Sequence, residues 1–175
     1  MNWIKDFIPT MKRNISQTFG NDKDSKIPEG LWKSCDKCGS ILYIPELKKN
    51  SYVCSKCSHH FKVNVTERID ITFDKDTYVN LNDAEQFNDY LQFKDTKKYK
   101  DRYQDALAKS DADEAISIGT GKVLGKDIVV AIFEFDFLGG SMGAVVGKRF
   151  TKAVDYAVEH NFPLVAFSTS GGARM

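Results

Sequence analysis

The four cysteines of this 175-residue chain form two close pairs, and they constrain its fold more than any other feature. Two residues separate Cys35 from Cys38 and Cys54 from Cys57, and fifteen residues lie between the pairs. Zn²⁺ takes four ligands at the corners of a tetrahedron, and each Cys-x-x-Cys turn supplies two converging thiolates. The spacing therefore predicts a zinc ribbon over residues 27–65, with one Zn²⁺ in a structural role because four cysteines leave no open coordination position.

Two disulfides are the alternative for these cysteines, but no secretory signal precedes them. His59 and His60 follow the second pair, and we expect them beside the metal site or at the surface rather than as ligands. Residues 41–53, between the pairs, are expected to form two short strands joined through the sequence KKNS. The last ribbon strand is predicted at residues 59–65.

Positive charge is concentrated in the predicted ribbon, although the whole chain is nearly neutral. The formal net charge is +1 at pH 7, whereas residues 31–65 contain six lysines and only two acidic residues. Nucleic-acid binding by the ribbon is therefore one candidate function, and a solvated lysine face is the simpler explanation.

Residues 1–26 have the apolar spacing of a short amphipathic helix. We expect an arm that docks on the rest of the protein or on a partner, and binding to a membrane surface is the alternative. No stretch of the sequence reaches the ~18 apolar residues of a spanning helix. We therefore expect a cytoplasmic protein with no membrane partner.

Residues 66–114 are predicted to form a helical connector. One helix is expected to begin at Thr66-Glu67. The clearest helical pattern is DTKKYKDRYQDALAKSD, residues 95–111, for which Asp95 or Thr96 is the expected N-cap.

From Ala115 the pattern changes to strands and glycine turns. Val129–Phe137 is predicted to be a strand, the segment after Gly143 that carries Val145 to Val158 an amphipathic helix, and residues 163–170 a second buried strand. A second helix is expected to follow the final glycines. Turns are predicted at three other glycines, Gly119, Gly121 and Gly125. A repeated order of strand, glycine turn and helix indicates an α/β fold.

Two of the glycine turns are candidate sites. The first is Gly139-Gly140-Ser141-Met142-Gly143, and the second is Ser170-Gly171-Gly172. Backbone N–H groups at such turns can bind an anion or a developing oxyanion, although the needs of a tight turn explain a single glycine pair equally well. Neither turn matches a phosphate loop or a dinucleotide fingerprint, and no catalytic triad is evident. Backbone amides are therefore the expected catalytic machinery.

Five segments resemble, in the same order, the β subunit of the carboxyltransferase of bacterial and plastid acetyl-CoA carboxylase. They are PEGLWKSCDKCG, VCSKCSHHF, DTKKYKDR, FLGGSMGAVVG and FSTSGGARM. The resemblance implies a crotonase-type spiral α/β domain after the ribbon, and an α subunit that completes an α2β2 heterotetramer. The implied reaction transfers a carboxyl group from carboxybiotin on the biotin carboxyl carrier protein to acetyl-CoA. The product, malonyl-CoA, enters fatty-acid synthesis, and ATP is used by the separate biotin carboxylase.

The resemblance also implies roles for individual residues. The amides of Gly171 and Gly172 match the oxyanion-hole position of the family motif. The earlier loop matches a region near bound CoA, through Gly139, Gly140, Ser141 and Gly143. Biotin freed of CO2 is the implied proton acceptor.

In this family the chain continues beyond the GGARM motif. We therefore expect residues 115–175 to be the start of a crotonase-like domain, and the 175-residue chain to be inactive alone. A related carboxyltransferase that uses propionyl-CoA is a further alternative, although those relatives generally lack this ribbon.

Overall fold

The computed structural model describes residues 30–84 and 89–175. They form a small cysteine-containing unit followed by a four-stranded mixed sheet with helices. The predicted N-terminal arm, residues 1–26, lies outside the described residues. Within the described part of the chain, no helix is both long and apolar enough to cross a bilayer.

The cysteine unit contains two short antiparallel strands and one helix. Strand β1 is Trp32–Ser34, β2 is Ile41–Tyr43 and helix α1 is Ile44–Lys49. The prediction of two strands between the cysteine pairs is therefore wrong for the second one. Pro45 fits the first turn of a helix, and the acidic and basic residues of IPELKK lie at the helix ends that favour them. The predicted last ribbon strand is reduced to a single bridge between Val53 and His60.

Two helices follow, each beginning close to its predicted position. Helix α2 is Val65–Thr72, and a capping box between Asn64 and Glu67 satisfies its first amides. Helix α3 is Tyr99–Lys109.

The predicted N-cap of α3 is wrong. Lys98 occupies the N-cap position without a side-chain hydrogen bond. The Asp95 carboxylate instead accepts hydrogen bonds from the Arg102 guanidinium at 2.5 and 2.6 Å. Asp95, which precedes the helix, therefore forms an ion pair with Arg102 in the first turns of α3 and does not cap it.

The larger unit is built on a sheet with the strand order β3-β4-β5-β6. Strands β3, β4 and β5 are antiparallel, whereas β6 runs parallel to β5 after a helical crossover. The bounds are Val79–Asn80 for β3, Ile116–Val123 for β4, Lys126–Phe133 for β5 and Leu164–Phe167 for β6; the crossover helix α4 is Ala144–His160.

Two details of the predicted strands are wrong. The strand expected at Val129–Phe137 is β5, which ends at Phe133, so the last four residues of that range form a loop. Of the three glycines expected at turns, only Gly125 lies in one, with φ of 76°. Gly119 and Gly121 lie inside β4 and share the face against which the Tyr78 and Phe73 rings pack. Strand glycines often mark such close approaches.

The main core lies between the sheet and α4. Helix α4 buries residues spaced three and four apart, which form one face directed at β4 and β5. The fully buried members of this core include Ile116, Ile118, Val129, Ala131, Phe137 and Ala153. This packing holds the loops after β5 and β6 at the same edge of the sheet.

Candidate functional site

The two cysteine pairs lie on turns of closely similar geometry. Gly39 N–H donates to Cys35 O at 2.8 Å, and Ser58 N–H donates to Cys54 O at 2.9 Å. The residue after the second cysteine has a positive φ in both turns, 70° at Gly39 and 57° at Ser58. Each turn thus directs its two cysteines inward, as the Cys-x-x-Cys spacing predicts.

The sulfur atoms have the separations that a tetrahedral zinc site requires. Four sulfurs at about 2.3 Å from Zn²⁺ lie about 3.8 Å from one another. Cys35 Sγ is 3.7 Å from Cys57 Sγ, and Cys38 Sγ is 3.9 Å from Cys54 Sγ. All four lie within 4.8 Å of one another, and each contact joins one pair to the other. The residues present therefore fit one structural Zn²⁺.

The two histidines behave as predicted. The His59 ring packs edge-on against Phe61, with ring centroids 5.3 Å apart, and His60 is exposed. Within the described residues, the cluster of possible metal ligands at this site consists of the four cysteines alone.

The thiols differ in how readily they lose a proton. Hydrogen bonds with Ser40 lower the pKa of Cys38 to about 6, whereas desolvation raises the pKa of Cys57 to about 12. A coordinated Zn²⁺ would supply the positive charge that keeps a thiol of raised pKa deprotonated.

The two glycine turns, predicted separately, are in direct contact. Gly171 N–H donates to Gly139 O, Met142 N–H donates to Gly172 O, and Arg174 N–H donates to Met142 O, each at 2.9 Å. Met142 and Ala173 thus form a parallel bridge. We call residues 138–143 the first loop and residues 168–174 the second loop. The structure brings all the predicted glycines of both loops into one region.

Glycine is required in the first loop for two reasons. Gly139 and Gly140 have φ values of 66° and 67°, which side chains rarely adopt. A Cβ atom at Gly140 would also collide with the Thr169 carbonyl oxygen and lie 3.3 Å from Ser170 Cα. The close contact between the loops therefore depends on the missing side chain at Gly140.

The amides predicted to form an oxyanion hole already have acceptors. Gly171 N–H donates to Gly139 O, and Gly172 N–H donates to Ser170 Oγ at 3.0 Å. An oxyanion bound at these amides would have to replace both acceptors. Whether they act as oxyanion donors therefore stays a prediction.

The sequence reasoning did not identify the side chains that fasten the loops together. Arg174 and Glu114 form an ion pair whose side chains are 6% and 1% exposed. Both residues are charged and stand next to apolar strands or glycine turns. A charged residue beside an apolar strand or a glycine turn is the only feature of the sequence that could have marked Arg174 and Glu114 as important. It does not show that they pair with each other.

Two cavities of similar volume flank the sheet and differ in charge. The first, about 640 Å³, is lined by six acidic residues and one lysine, Lys109. The second, about 660 Å³, lies at the carboxyl ends of β5 and β6, next to the second loop. Its charged lining residues are Lys62, Arg68 and Glu134, and the rings of Phe135 and Phe167 also line it. Ligands of sheets with parallel strands commonly bind at this edge, so we call this second cavity the basic cleft.

Comparisons with known proteins agree with this arrangement. The carboxyl transferase domain family matches residues 61–175, and the acetyl-CoA carboxylase zinc finger domain matches residues 32–57. The first match includes the sheet, α4 and both loops, and the second includes all four cysteines.

Several solved structures are similar to this chain at low identity. A single-chain, multi-domain long-chain acyl-CoA carboxylase is 21% identical, with a TM-score of 0.51 over 65% of this chain and 11% of that chain. Transcarboxylase 12S is 21% identical, with a TM-score of 0.48 over 65% of this chain and 20% of that one. The β subunit of geranyl-CoA carboxylase from P. aeruginosa is 18% identical, with a TM-score of 0.45 over 75% and 20%. The chain thus spans a fifth or less of the length of these proteins.

The family match covers more than half of the chain and coincides with the α/β unit. The predicted fold class, an α/β domain of the crotonase type with an N-terminal four-cysteine zinc ribbon, is confirmed. The chain belongs to the carboxyl transferase domain family and carries a zinc ribbon of the acetyl-CoA carboxylase type.

Proposed function

We propose that this chain is the β-type subunit of an acetyl-CoA carboxylase carboxyltransferase and acts in the cytoplasm on the path to fatty acids. One observation carries the proposal: an acetyl-CoA carboxylase zinc finger directly precedes a carboxyl transferase domain in the same chain. The partners are a carboxyltransferase α subunit, in an α2β2 assembly, and the biotin carboxyl carrier protein. A separate biotin carboxylase uses ATP to load the biotin.

The joined loops are suited to the charge that this reaction develops. Removing a proton from the methyl group of acetyl-CoA places negative charge on the thioester oxygen, and biotin that loses CO2 can accept the proton. Backbone N–H groups stabilise such charge without titrating. In this proposal the amides of Gly171 and Gly172 exchange their present acceptors, Gly139 O and Ser170 Oγ, for the thioester oxygen. The first loop contacts CoA through residues 139–141 and Gly143.

The basic cleft supports an anionic acyl-CoA rather than a neutral substrate. CoA carries several phosphate charges, which the six acidic residues of the other cavity would repel. In the basic cleft, the Arg68 guanidinium lies over the Phe167 ring at 5.1 Å, and Lys62 Nζ lies 5.5 Å from the Phe135 ring centroid. Arg68 offers a cation for phosphate and the rings offer aromatic faces for adenine, whereas Lys62 would have to leave its ion pair with Asp136 to bind phosphate.

An assay of the assembled enzyme tests the proposal. A full-length subunit that contains these 175 residues, an α subunit and the carboxylated carrier protein are mixed with acetyl-CoA or propionyl-CoA, and the carboxylated product is measured. We expect kcat/KM for acetyl-CoA to exceed that for propionyl-CoA by 10-fold or more, since one methylene changes specificity about 10- to 200-fold. A preference for propionyl-CoA would instead assign the chain to the related carboxyltransferases. The 175-residue chain itself is expected to be inactive, and malonyl-CoA formation by this chain with α subunit and biotin at the rate of the full-length subunit would contradict that.

Nucleic-acid binding by the ribbon is a second candidate function. Trp32 and Ile41 lie on one face of the ribbon hairpin and are 53% and 72% exposed. Exposed aromatic residues near lysines can stack on bases. Binding to RNA or DNA that weakens with salt and is lost in a Lys48→Gln, Lys49→Gln variant would support this function.

A further inference from the structure

A buried ion pair joins the second loop to Glu114, which lies just before β4. Arg174 Nη2 donates to Glu114 Oε1 at 2.5 Å, and Arg174 Nη1 donates to Glu114 Oε2 at 3.1 Å. The two residues are sixty positions apart in the chain and almost fully buried. Buried charges persist only when they are paired and hydrogen-bonded, so this contact fixes the position of the Arg174 side chain.

The same guanidinium also holds the first loop. Arg174 Nη2 donates to the Ser141 carbonyl at 2.7 Å, and Arg174 Nε donates to Ser141 Oγ at 3.2 Å. Gly143 leaves room for it, because a Cβ atom there would lie 3.0 Å from Arg174 Nη1. One side chain thus binds both the backbone and the hydroxyl of the neighbouring loop.

The Glu114 side chain is itself held in place by a backbone hydrogen bond. Its Oε1 also accepts the Ala115 N–H at 2.7 Å, one residue before β4 begins. The Phe137 ring packs under the guanidinium at 5.6 Å, and Tyr99 Oη lies 3.4 Å from Nη1. Burial lowers the pKa of Arg174, but hydrogen bonds to Glu114 and Tyr99 outweigh this effect and raise it overall. Arg174 therefore stays charged.

We propose that Arg174 and Glu114 are positioning residues for the carboxyl transfer reaction. The Arg174 guanidinium, anchored by the Glu114 carboxylate, sets the spacing between the first and second loops, and hence the geometry of the amides at Gly171 and Gly172. This assignment rests on the proposed function of those loops. It differs from a purely structural role in one respect. Apolar residues could replace the ion pair and keep the protein folded, but they could not hold the two loops at the required spacing.

A double substitution separates the two roles. Replacing a buried ion pair by apolar residues of similar size is often neutral for folding, whereas removing one partner is strongly destabilising. The Arg174→Met, Glu114→Leu variant can therefore recover the stability that Arg174→Met alone loses, but it lacks both bonds to Ser141. Because misplacing a reacting group by about 1 Å can lower the rate about 100-fold, we expect kcat to fall by about that factor while KM changes little.

The assembled enzyme is assayed for kcat, KM and thermal unfolding. A double variant with a Tm near that of the wild type and a kcat about 100-fold lower supports positioning, and recovery of kcat together with Tm overturns it. If the double variant does not fold, Arg174→Lys decides between the roles. It keeps the charge but cannot hold two loops at once, so a 10-fold or greater loss of kcat in folded protein supports positioning, and unchanged kcat contradicts it. Arg102→Met, which removes an exposed arginine–carboxylate pair, is the control and should leave kcat unchanged.

Hydrogen exchange tests the positioning without any assay of activity. The amides of Met142, Gly171 and Arg174 donate between the loops, so their exchange reports the loop contact. In the double variant we expect their exchange to accelerate 10-fold or more, while amides in β4 and β5 are unchanged. Unchanged exchange at the loops would refute the positioning role. Absence of carboxylation by the wild-type assembly would refute the proposed function and leave the exchange result valid.

Discussion

Gly119 and Gly147 both have ordinary backbone angles, but an added side chain would meet different surroundings at the two positions. Gly119, in β4, faces the Tyr78 ring, and a Cβ atom there would lie 2.5 Å from Tyr78 Cζ. Gly119→Ala should therefore force the ring to move and lower the free energy of unfolding by about 1–3 kcal/mol, the usual effect of overpacking. Denaturant unfolding followed by circular dichroism measures this change.

Gly147 is the matched control for that substitution. It lies inside α4, and a Cβ atom there meets nothing within 4 Å. Gly147→Ala should raise the free energy of unfolding by about 0.5–1 kcal/mol because alanine loses less backbone entropy in a helix. A similar gain in Gly119→Ala would show that the Tyr78 ring does not need the space.

The hairpin turn between β4 and β5 contains a residue poorly suited to its backbone angles. Leu124 and Gly125 both have positive φ, 51° and 76°, which defines the two-residue turn that favours Asn-Gly. Leu124 is 90% exposed, so its side chain gains little from burial. Leu124→Asn should raise the free energy of unfolding by about 1 kcal/mol, since left-handed backbone strain is about that large for other residues.

Asp74 is the reason the leucine is tolerated there. Its carboxylate accepts the Leu124 and Gly125 amides at 3.1 and 2.7 Å. Leu124→Ala is the control, because alanine keeps both these bonds and the strain. Thermal unfolding of the two variants should give a higher Tm for Leu124→Asn than for Leu124→Ala, and equal values would argue against strain at this turn.

At the scale of elements, the cysteine unit depends on its metal. Its buried cluster is small and includes Cys35 and Cys54 themselves, so few apolar contacts remain without Zn²⁺. Removal of Zn²⁺ by a chelator should unfold residues 32–63 and leave the β4–β5 hairpin protected. Hydrogen exchange by mass spectrometry measures both regions in one experiment, and metal analysis should give one Zn²⁺ per chain.

A chelator-treated protein that keeps its protection in this region would contradict the dependence on zinc. A Cys38→Ser variant provides a second test, since it removes one ligand without a chelator. Loss of zinc and protection in this variant, with unchanged exchange in β5, is the expected outcome. If two disulfides held the unit, reducing agent rather than chelator would release it.

Local patterns predicted the elements where one physical factor dominates. The apolar spacing of α4 and the Cys-x-x-Cys turns needed no distant information, and both were predicted correctly. Helix α1 was predicted as a strand because the segment begins with apolar residues. Pro45 in the first turn and the charges at the two ends of the segment favour a helix instead. The N-cap of α3 was predicted wrongly because the helix begins later, at Tyr99, and the Asp95 carboxylate accepts the Lys97 amide and the Arg102 guanidinium outside it.

At the scale of the whole molecule, the order of β5, α4 and β6 predicted an α/β fold, and the structure adds that β5 and β6 are a parallel pair whose following loops share one edge. The sequence did not predict that the loops would bond to each other through Arg174, because its partner Glu114 lies sixty residues away. Nor did it predict the packing of Tyr78 on Gly119, which depends on the position of β3. Contacts set by tertiary packing leave no local periodicity in the chain.

One buried carboxylate connects α2, the helix that follows the cysteine unit, to the sheet. Glu134, just after β5, is 7% exposed, and its two oxygens accept the amides of Val65 at 3.3 Å and Asp136 at 3.0 Å. Val65 is the first residue of α2, so this contact joins the segment after the ribbon to the end of a central strand. Glu134→Ala leaves both amides without this acceptor and should lower the free energy of unfolding by about 1–3 kcal/mol.

The same junction offers a matched comparison at its surface. Lys62 and Asp136 form an ion pair whose side chains are 57% and 56% exposed, so Lys62→Met should cost less than about 1 kcal/mol. Denaturant unfolding of the zinc-loaded protein compares the two variants, and Glu134→Gln, which keeps one acceptor oxygen, should fall between them. If Lys62→Met proved as destabilising as Glu134→Ala, the two units would be joined by surface charge. A larger effect of Glu134→Ala would mean that the buried carboxylate is the stronger link between α2 and the sheet that carries the glycine loops.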